Sequence, residues 1–432
     1  MATLSTFDGA LKTKFIGPIR DQLYSNKILL EGLRTRDASK ETNMPKGSRD
    51  FKGIVSTSEG IDYVGKTFTM SLHTGRNTGV GYRAEGAKIP GYGAQSYKTI
   101  SDNLRYIYGQ FRLTGQVIEL SDKAEGAFAK AMAEEMKRLS DDLKRRVSIG
   151  GYGTKDANGN APVTTITATA TSATQALATT VRLQIGDTVD VYNPTGATRR
   201  NTNTVLTVVS INRPAKTVTF DQSVAATSAD ILIWASPDST TAAPNNDLAQ
   251  SPNGLGNIID DTVSLHGIDP TVAGNGFWKS YVKAQGNAVI SDTILRDAKD
   301  MIGFESGMDD GLIGIWTRGI RNRYVNTLIG LKQFTDANST TLRGGFKAVL
   351  FDDEIPFVID DHMTPGDLYF LNCDAMFWAQ ATDFQWLDRE GSVLKWDPGY
   401  DAFVGIFYKY HQMGTWARNR HAKLTGLQDD TR

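Results

Sequence analysis

The chain has 432 residues with 47 Lys plus Arg against 48 Asp plus Glu, a formal net charge of −1 and five His. That balance excludes a grossly basic nucleic-acid binder and an acidic tail protein, and leaves room for a local basic face. The length predicts two or three domains and a large core. Cys373, the single cysteine, makes no internal disulfide and no cysteine-type zinc site, which is compatible with a reduced compartment.

Residues 1–50 read as an N-terminal arm. Phe7, Leu11, Phe15, Ile19, Leu23, Leu29 and Leu30 outline an amphipathic helix interrupted near Gly17 and Pro18, followed by the polar segment 34–49. A detachable arm and an ordinary packed terminal helix both fit this pattern. Early charges at Asp8, Lys12, Lys14, Arg20 and Asp21 give no signal peptide, and no apolar run approaches the roughly 20 residues of a membrane span.

Residues 51–120 read as a long two-stranded excursion. The stretches 66–72 and 104–113 alternate apolar and polar residues, the period of a half-covered strand. Between them Gly75, Gly79, Gly81, Gly86, Pro90, Gly91 and Gly93 break regular structure. A connection longer than about 15 residues is usually functional or disordered. Tyr82, Tyr92 and Tyr97 argue against plain disorder. The combination predicts an arm that orders against a neighbouring subunit.

A helix is predicted over 122–148, with Ser121 or Asp122 as N-cap. Phe128, Met132, Met136, Leu139, Leu143 and Val147 form one stripe. Glutamates come early and Lys144, Arg145 and Arg146 late, matching the macrodipole, and Gly150 and Gly151 end it. At ~1.5 Å per residue the helix spans roughly 40 Å. Lys137, Arg138, Lys144 and Arg145 are candidates for proximity to nucleic acid, although such a run is more often a solvated helix face.

Residues 161–250 are rich in Thr, Ala, Ser, Val and Asn and poor in charge. Short strands at 163–168, 188–192, 205–211, 217–220 and 231–234, punctuated by Asn193-Pro194, Arg213-Pro214 and Ser236-Pro237, predict a small β barrel or sandwich inserted into the chain. Residues 239–253 read as a linker. Beyond them the chain turns mixed: Ser291 caps a helix carrying Ile294, Leu295, Ala298, Met301 and Ile302, and a second helix is predicted over 309–330. Strands are predicted at 348–351, 356–360, 367–372 and 403–410. The class is α+β.

No catalytic constellation emerges. The five His show neither HExxH nor HxH spacing, the glycines at 150–153 and 254–256 lack a phosphate-loop ending, and GxSxG is missing. The acidic runs 352–354 and 360–362 read as turns bounding a strand, since the EF-hand pattern is missing. No enzyme, cofactor or metal is expected.

The order of these parts resembles the major capsid proteins of tailed phages, the HK97 fold. Gly79-Val80-Gly81-Tyr82-Arg83-Ala84-Glu85-Gly86, then Pro90 and Gln95-Ser96-Tyr97, is similar to that family's extended loop. Arg112-Leu113-Thr114-Gly115-Gln116-Val117-Ile118 is similar to the loop's return to the spine helix. Pro252-Asn253-Gly254-Leu255 resembles the turn into the axial domain. Gly344-Gly345-Phe346, Pro356-Phe357-Val358, Tyr369-Phe370-Leu371-Asn372 and Arg418-Asn419-Arg420 resemble the late segments.

The resemblance implies an extended loop at 51–120, a spine helix and the start of a peripheral domain at 121–160, and an axial domain returning to the peripheral one at 251–432. The segment 161–250 departs from the minimal pattern. It also implies a homo-oligomer of pentamers and hexamers, closing an icosahedral shell around packaged double-stranded DNA held by weak nonspecific contact. Location would be the virion head, assembled in the host cytoplasm without a membrane. A portal is a further implied partner, with either a separate scaffolding protein or self-assembly, and the presence of a decoration protein stays open. Tyr82, Arg83, Glu85, Lys88, Tyr92 and Tyr97 would meet a neighbouring subunit. Lys88 near the tip has no defensible crosslinking partner, so no covalent crosslink is expected. An encapsulin-like nanocompartment shares the fold and stays open as an alternative. A β-rich glycan-binding adhesin or glycan hydrolase is a second alternative, prompted by 160–250 and the seven Trp.

Overall fold

The computed structural model describes residues 62–64, 67–123, 131–156, 158–201, 204–307, 311–329, 349–351, 355–388 and 393–429. The expected N-terminal arm lies outside them, as does Phe128 of the helical stripe.

The excursion is a hairpin. Strand β1 (Asp62–Val64) pairs with β2 (Thr67–Gly75), and β2 pairs antiparallel with β3 (Ser96–Asn103). The return strand is therefore not 104–113, as the alternation implied. That stretch forms β4 (Arg105–Thr114), which leaves the hairpin and joins another sheet. Both strands alternate in polarity, and period two marks a strand without naming its partner.

Two helices follow, α1 (Gly115–Lys123) and α2 (Ala131–Gly150). Ser121 and Asp122 thus lie within α1, which starts earlier than their capping chemistry suggested. The backbone amide of Gly115 donates instead to the Asp401 carbonyl at 2.9 Å. The expected stripe is real from Met132 to Val147. Met132, Met136 and Leu139 pack with Phe111, Leu113 and Val117, while Leu143 and Val147 are buried. Gly109 of β4 lets the helix approach: a Cβ there would lie 3.0 Å from Leu139 and 3.2 Å from Leu143.

Strands β5 (Thr164–Thr165), β6 (Ala170–Ala176), β7 (Thr188–Tyr192), β8 (Leu206–Asn212), β9 (Thr217–Ala226) and β10 (Ile231–Trp234) pair antiparallel in the order β5-β10-β7-β8-β9-β6. The two ends also meet. Ile166 bridges Leu177, the Thr167 amide donates to the Ala176 carbonyl and the Ala178 amide to Thr165, both at 2.9 Å. The sheet is a closed barrel, which removes its edges. Val189, Val191, Leu206, Val208, Val218, Phe220 and Leu232 fill it. Asp190, fully buried on the outer side of β7, accepts from Arg199, Asn201, Ser239 and Asn246, and so pins the 236–247 segment to the barrel wall.

After the short helix α3 (Leu255–Ile258) comes a mixed six-stranded sheet. It holds β11 (Tyr281–Ala288), β12 (Leu312–Trp316), β13 (Val349–Phe351), β14 (Ile355–Ile359), β15 (Leu368–Asn372) and β19 (Ala422–Leu427), ordered β11-β19-β15-β12-β14-β13. Helix α4 (Asp292–Ser306) begins as read: the Ser291 hydroxyl accepts from the Ile294 amide, and Leu295, Ala298 and Ile302 are buried. The expected helix over 309–330 is instead β12 followed by α5 (Arg318–Ile329). Leu312–Trp316 is buried at every position because it is a central strand covered on both faces, so the helical spacing of its apolar residues was accidental. Gly314 there admits the Phe357 ring, which would lie 2.2 Å from a Cβ.

The last sheet is built on β18 (Ala402–Thr415). Strands β16 (Met376–Trp386) and β17 (Leu394–Trp396) pair with one side, and β4 pairs with the other from Ala402–Thr114 to His411–Arg105. Arg418, fully buried, holds the junction of the two large sheets. Its guanidinium donates to the carbonyls of Ile258, Val263 and Asn257 at 2.9, 2.9 and 3.0 Å, and to Trp278 at 3.4 Å. The first and third are end groups of α3, which has no later turn to satisfy them.

Buried titratable groups set the acid response. His421 accepts the Asn372 amide at Nδ1, 3.1 Å, so it is neutral and donates from Nε2 to Thr415 Oγ1 at 3.0 Å. Burial, with the charge of Arg418, brings His421 down to about 3, and burial with Lys409 does the same for His411. Burial pushes the carboxyls of Asp360 and Asp367 up to about 6, against the hydrogen bonds that Asp360 takes from His362 and Tyr152. The two pairs oppose each other. A depressed His leaves the unfolded chain holding the extra proton, so stability falls on acidification from 6.5 towards 3. A raised Asp leaves the folded chain holding it, so stability rises on acidification from 6 towards 3.8. Between about pH 4 and 6 the two raised carboxyls offset part of the stability that the depressed histidines, His266 among them, lose with acid, and Asp360→Asn with Asp367→Asn is expected to steepen the fall with acid over that window. An unchanged slope in the double variant would contradict the assignment.

Candidate assembly arm

The lower half of the hairpin is fastened to its own subunit. Phe68 and Ile100 are fully buried, with Phe68 edge-on to Phe377 and to His266. The Ser101 amide donates to the His266 carbonyl at 3.1 Å. Asp102 accepts from Asn253 Nδ2 at 2.7 Å and lies 3.1 Å from His266 Nδ1. Burial works against the Asp102 charge, and the hydrogen bonds from His266 and Asn253 outweigh it, holding the carboxyl below its usual range. Lys98 adds a bond to Asn275 and lies 5.5 Å from the Phe277 ring centroid.

Above this base the character changes. Tyr82 and Tyr92 are as accessible as in an extended peptide, and Val80 and Ile89 are 84% and 79% exposed. The tip is nonetheless shaped. Gly79 and Gly93 bring the two limbs together, since a Cβ on Gly93 would lie 2.5 Å from the Gly79 nitrogen. Asn77 Oδ1 accepts from the Gly79 amide at 2.7 Å. A turn closes at Ala84–Ala87 with Gly86 in the left-handed region, φ 73°. His73 and Gln95 join across the waist at 2.8 Å.

Of the expected contact residues, Tyr82, Arg83, Glu85, Lys88 and Tyr92 all lie on the exposed tip, and Tyr97 lies on the flank of β3, tilted against His73. Arg83 bonds locally to the Tyr82 carbonyl. Of the expected basic residues on α2, Lys137 is exposed and Lys144 half-buried. Arg138 pairs with Glu134 at 2.7 Å, and Arg145 reaches the Arg182 carbonyl at 3.4 Å, its pKa lowered by burial. Sequence reading did not single out the anchors Asp102, His266 and Arg182. No periodicity marks them, because their partners are 100 residues or more away or are backbone atoms.

A sheet face rich in tyrosine completes the surface. Tyr106 and Tyr108 of β4 stand opposite Tyr410 and Tyr408 of β18. Tyr106 meets Tyr410 edge-on at 4.9 Å, and the Tyr108 and Tyr410 hydroxyls are 3.2 Å apart. Arg112 stacks on Tyr400 at 4.4 Å and pairs with Asp397 at 2.7 Å.

The sequence matches no family model, and no curated protein matches it. Among solved structures, the fold is similar to the cyanophage A-1(L) capsid asymmetric unit, with TM-score 0.58, 12% identity, and 99% of this chain and 100% of that chain covered. A capsid chain of the native GTA particle covers 98% and 99% at TM-score 0.48 and 10% identity. The holo-SrpI encapsulin complex from Synechococcus elongatus PCC 7942 covers 100% and 97% at TM-score 0.45 and 7% identity. The described residues have an α+β fold of the phage-capsid-protein kind.

Low-dose trypsin on the unassembled subunit is expected to cut, among the described residues, first after Arg76, Arg83 or Lys88. Mass mapping of the first fragments checks this, and a first described cut within the barrel or the large sheets would show that the tip is not the accessible element.

Proposed function

We propose that this chain is the major capsid protein of a tailed double-stranded DNA phage. It is a structural protein and not an enzyme. It assembles as pentamers and hexamers into the icosahedral shell of the virion head. The observation that carries this is the hairpin: its base is bonded into its own subunit, while its apolar tip has no seat among the described residues, on a chain with a capsid-protein fold.

In the HK97 scheme the hairpin is the extended loop and α2 the spine helix. The sheet of β4, β16, β17 and β18 belongs to the peripheral domain, the sheet from β11 to β19 to the axial domain, and the barrel is an insertion. Val80, Tyr82, Ile89 and Tyr92 are the anchors on the neighbouring subunit, with Arg83, Glu85, Lys88 and Tyr97 around them. Burying one such side chain contributes roughly 1.5–3 kcal/mol, and symmetry repeats that gain at every subunit. Lys137 and Lys144 are the better placed of the basic residues for a loose, salt-sensitive contact with packaged DNA, since Arg138 and Arg145 already have partners. A scaffolding protein and a portal complete the assembly.

Electron microscopy of the purified full chain, expressed with and without the phage's other head proteins, tests the reading. Closed shells are expected, carrying nuclease-protected DNA in particles from infected cells, and an enzyme cargo instead would point to a nanocompartment. Tyr82→Ser with Tyr92→Ser is expected to leave folded capsomers that fail to close. Denaturing gels of the shells are expected to show a single monomer band. Monomers at high concentration whose 76–97 segment resists protease would sink the proposal.

A further inference from the structure

One cavity lies where the barrel, the C-terminal end of α2 and the edge of the β4–β18 ladder meet. Its volume is about 80 Å³, room for several waters or one small polyatomic ion. Much of its wall is apolar, yet Arg105, Arg146, Arg182, Asp247 and His411 also line it.

Two of the three arginines are already committed. Arg146 pairs with Asp247 at 2.7 Å and covers the Trp234 ring at 3.8 Å. Arg182 donates to the carbonyls of His362, Tyr152 and Val163 and to the Thr364 hydroxyl. Arg105 is different. Its one hydrogen bond runs from NH1 to the Ala249 carbonyl at 3.0 Å, and its Nε is buried with no partner among the described residues. It makes no ion pair there either. Directly opposite Arg105 in the ladder stands His411, 2% exposed and stacked on Trp378 at 5.2 Å. Neither ring nitrogen of His411 has a partner among the described residues.

The surroundings deepen the surplus of positive charge. Lys409, fully buried two residues before His411 on the same strand, pairs with Asp383 at 2.9 Å, and its charge still acts on His411, lowering its pKa after burial does. Lys155 is pushed down to about 8 by burial and then by the charge of Arg105, with Asp102 opposing. Water would satisfy the His411 nitrogens and the Arg105 Nε–H, but it brings no negative charge to the guanidinium. A tetrahedral oxyanion brings both acceptors and charge, the pairing for which a guanidinium fork is shaped.

We propose that this cavity is a binding site for a small oxyanion of the phosphate or sulfate class, held by Arg105 and by an N–H of His411. Arg105 also holds the Ala249 carbonyl, in the segment returning from the barrel, so the ion braces that segment against the β4–β18 sheet. The site lies within one subunit and is independent of whether the chain builds a shell.

The test uses the full chain in unassembled form. Isothermal titration with inorganic phosphate and with sulfate, at ionic strength held constant with chloride, is expected to give saturable binding of one ion per chain. The thermal midpoint should rise with the same concentration dependence. Arg105→Gln is expected to weaken binding at least tenfold, and Arg105→Lys, which keeps the charge and loses the fork, to fall between. Cryo-electron microscopy in phosphate buffer should show density for an ion between Arg105 and His411. Absence of saturable binding in the wild-type chain, an unaltered affinity in Arg105→Lys, or density refining as water alone would each overturn the proposal.

Discussion

The ladder between β4 and β18 is the constraint on which the rest of the molecule depends. It joins Arg105–Thr114 to residues 402–411 over ten consecutive pairs, bringing together stretches some 300 positions apart. One face of β4 receives α2, whose Leu139 and Leu143 fit over Gly109. The N-terminal end of β4 launches the hairpin, and its C-terminal end runs into α1. The arm can therefore project outward without pulling on the core: a force on its tip is resisted by the whole ladder and by the bonds of Asp102 and Ser101 to the His266 region. Non-local pairing of this kind carries a loop-closure entropy cost, which slows folding.

Buried guanidinium groups do the complementary work of joining irregular segments. Arg418 gathers carbonyls from the α3 end and the 263–278 loop, while Arg182 gathers them from Tyr152, Val163 and His362. A planar, permanently charged fork satisfies several acceptors at once, and loop carbonyls buried beside a sheet have no other donors. Both arginines lose solvation on burial, which lowers their pKa without removing the charge at neutral pH; Arg418 stays at about 10.

The parts of the fold that obey a local rule were legible in the sequence. The Ser291 cap, the Met132–Val147 stripe and the strands at 188–192 and 231–234 all follow from side-chain periodicity or capping chemistry. The exposed tip was legible too: its density of glycine and proline is unsuited to a packed core, and its tyrosines are unsuited to plain disorder. The failures have a common cause. Alternation identified 104–113 as a strand but said nothing of its partner, and Leu312–Trp316 presents an apolar run that fits a helix stripe and a central strand equally. Strands β16 and β19 went unread because their faces are covered on both sides for part of their length, which erases alternation. Polar anchors such as Asp102–His266 leave no trace until the chain has folded, and the nitrogens of Arg105 and His411 that lack a partner among the described residues are visible only once the walls around them exist.

The barrel's first and last strands are neighbours, with the Val163 amide donating to the Leu232 carbonyl at 2.9 Å. The chain thus enters and leaves this module through one doorway, next to the arginines that brace it. A unit joined at one point could be replaced only by a domain whose termini lie a strand's width apart and which supplies a donor in the place of Arg182, since the Tyr152 and His362 carbonyls are held from inside the barrel. The single doorway therefore makes the barrel a natural graft point, on the condition that the graft brings its own clamp for those carbonyls.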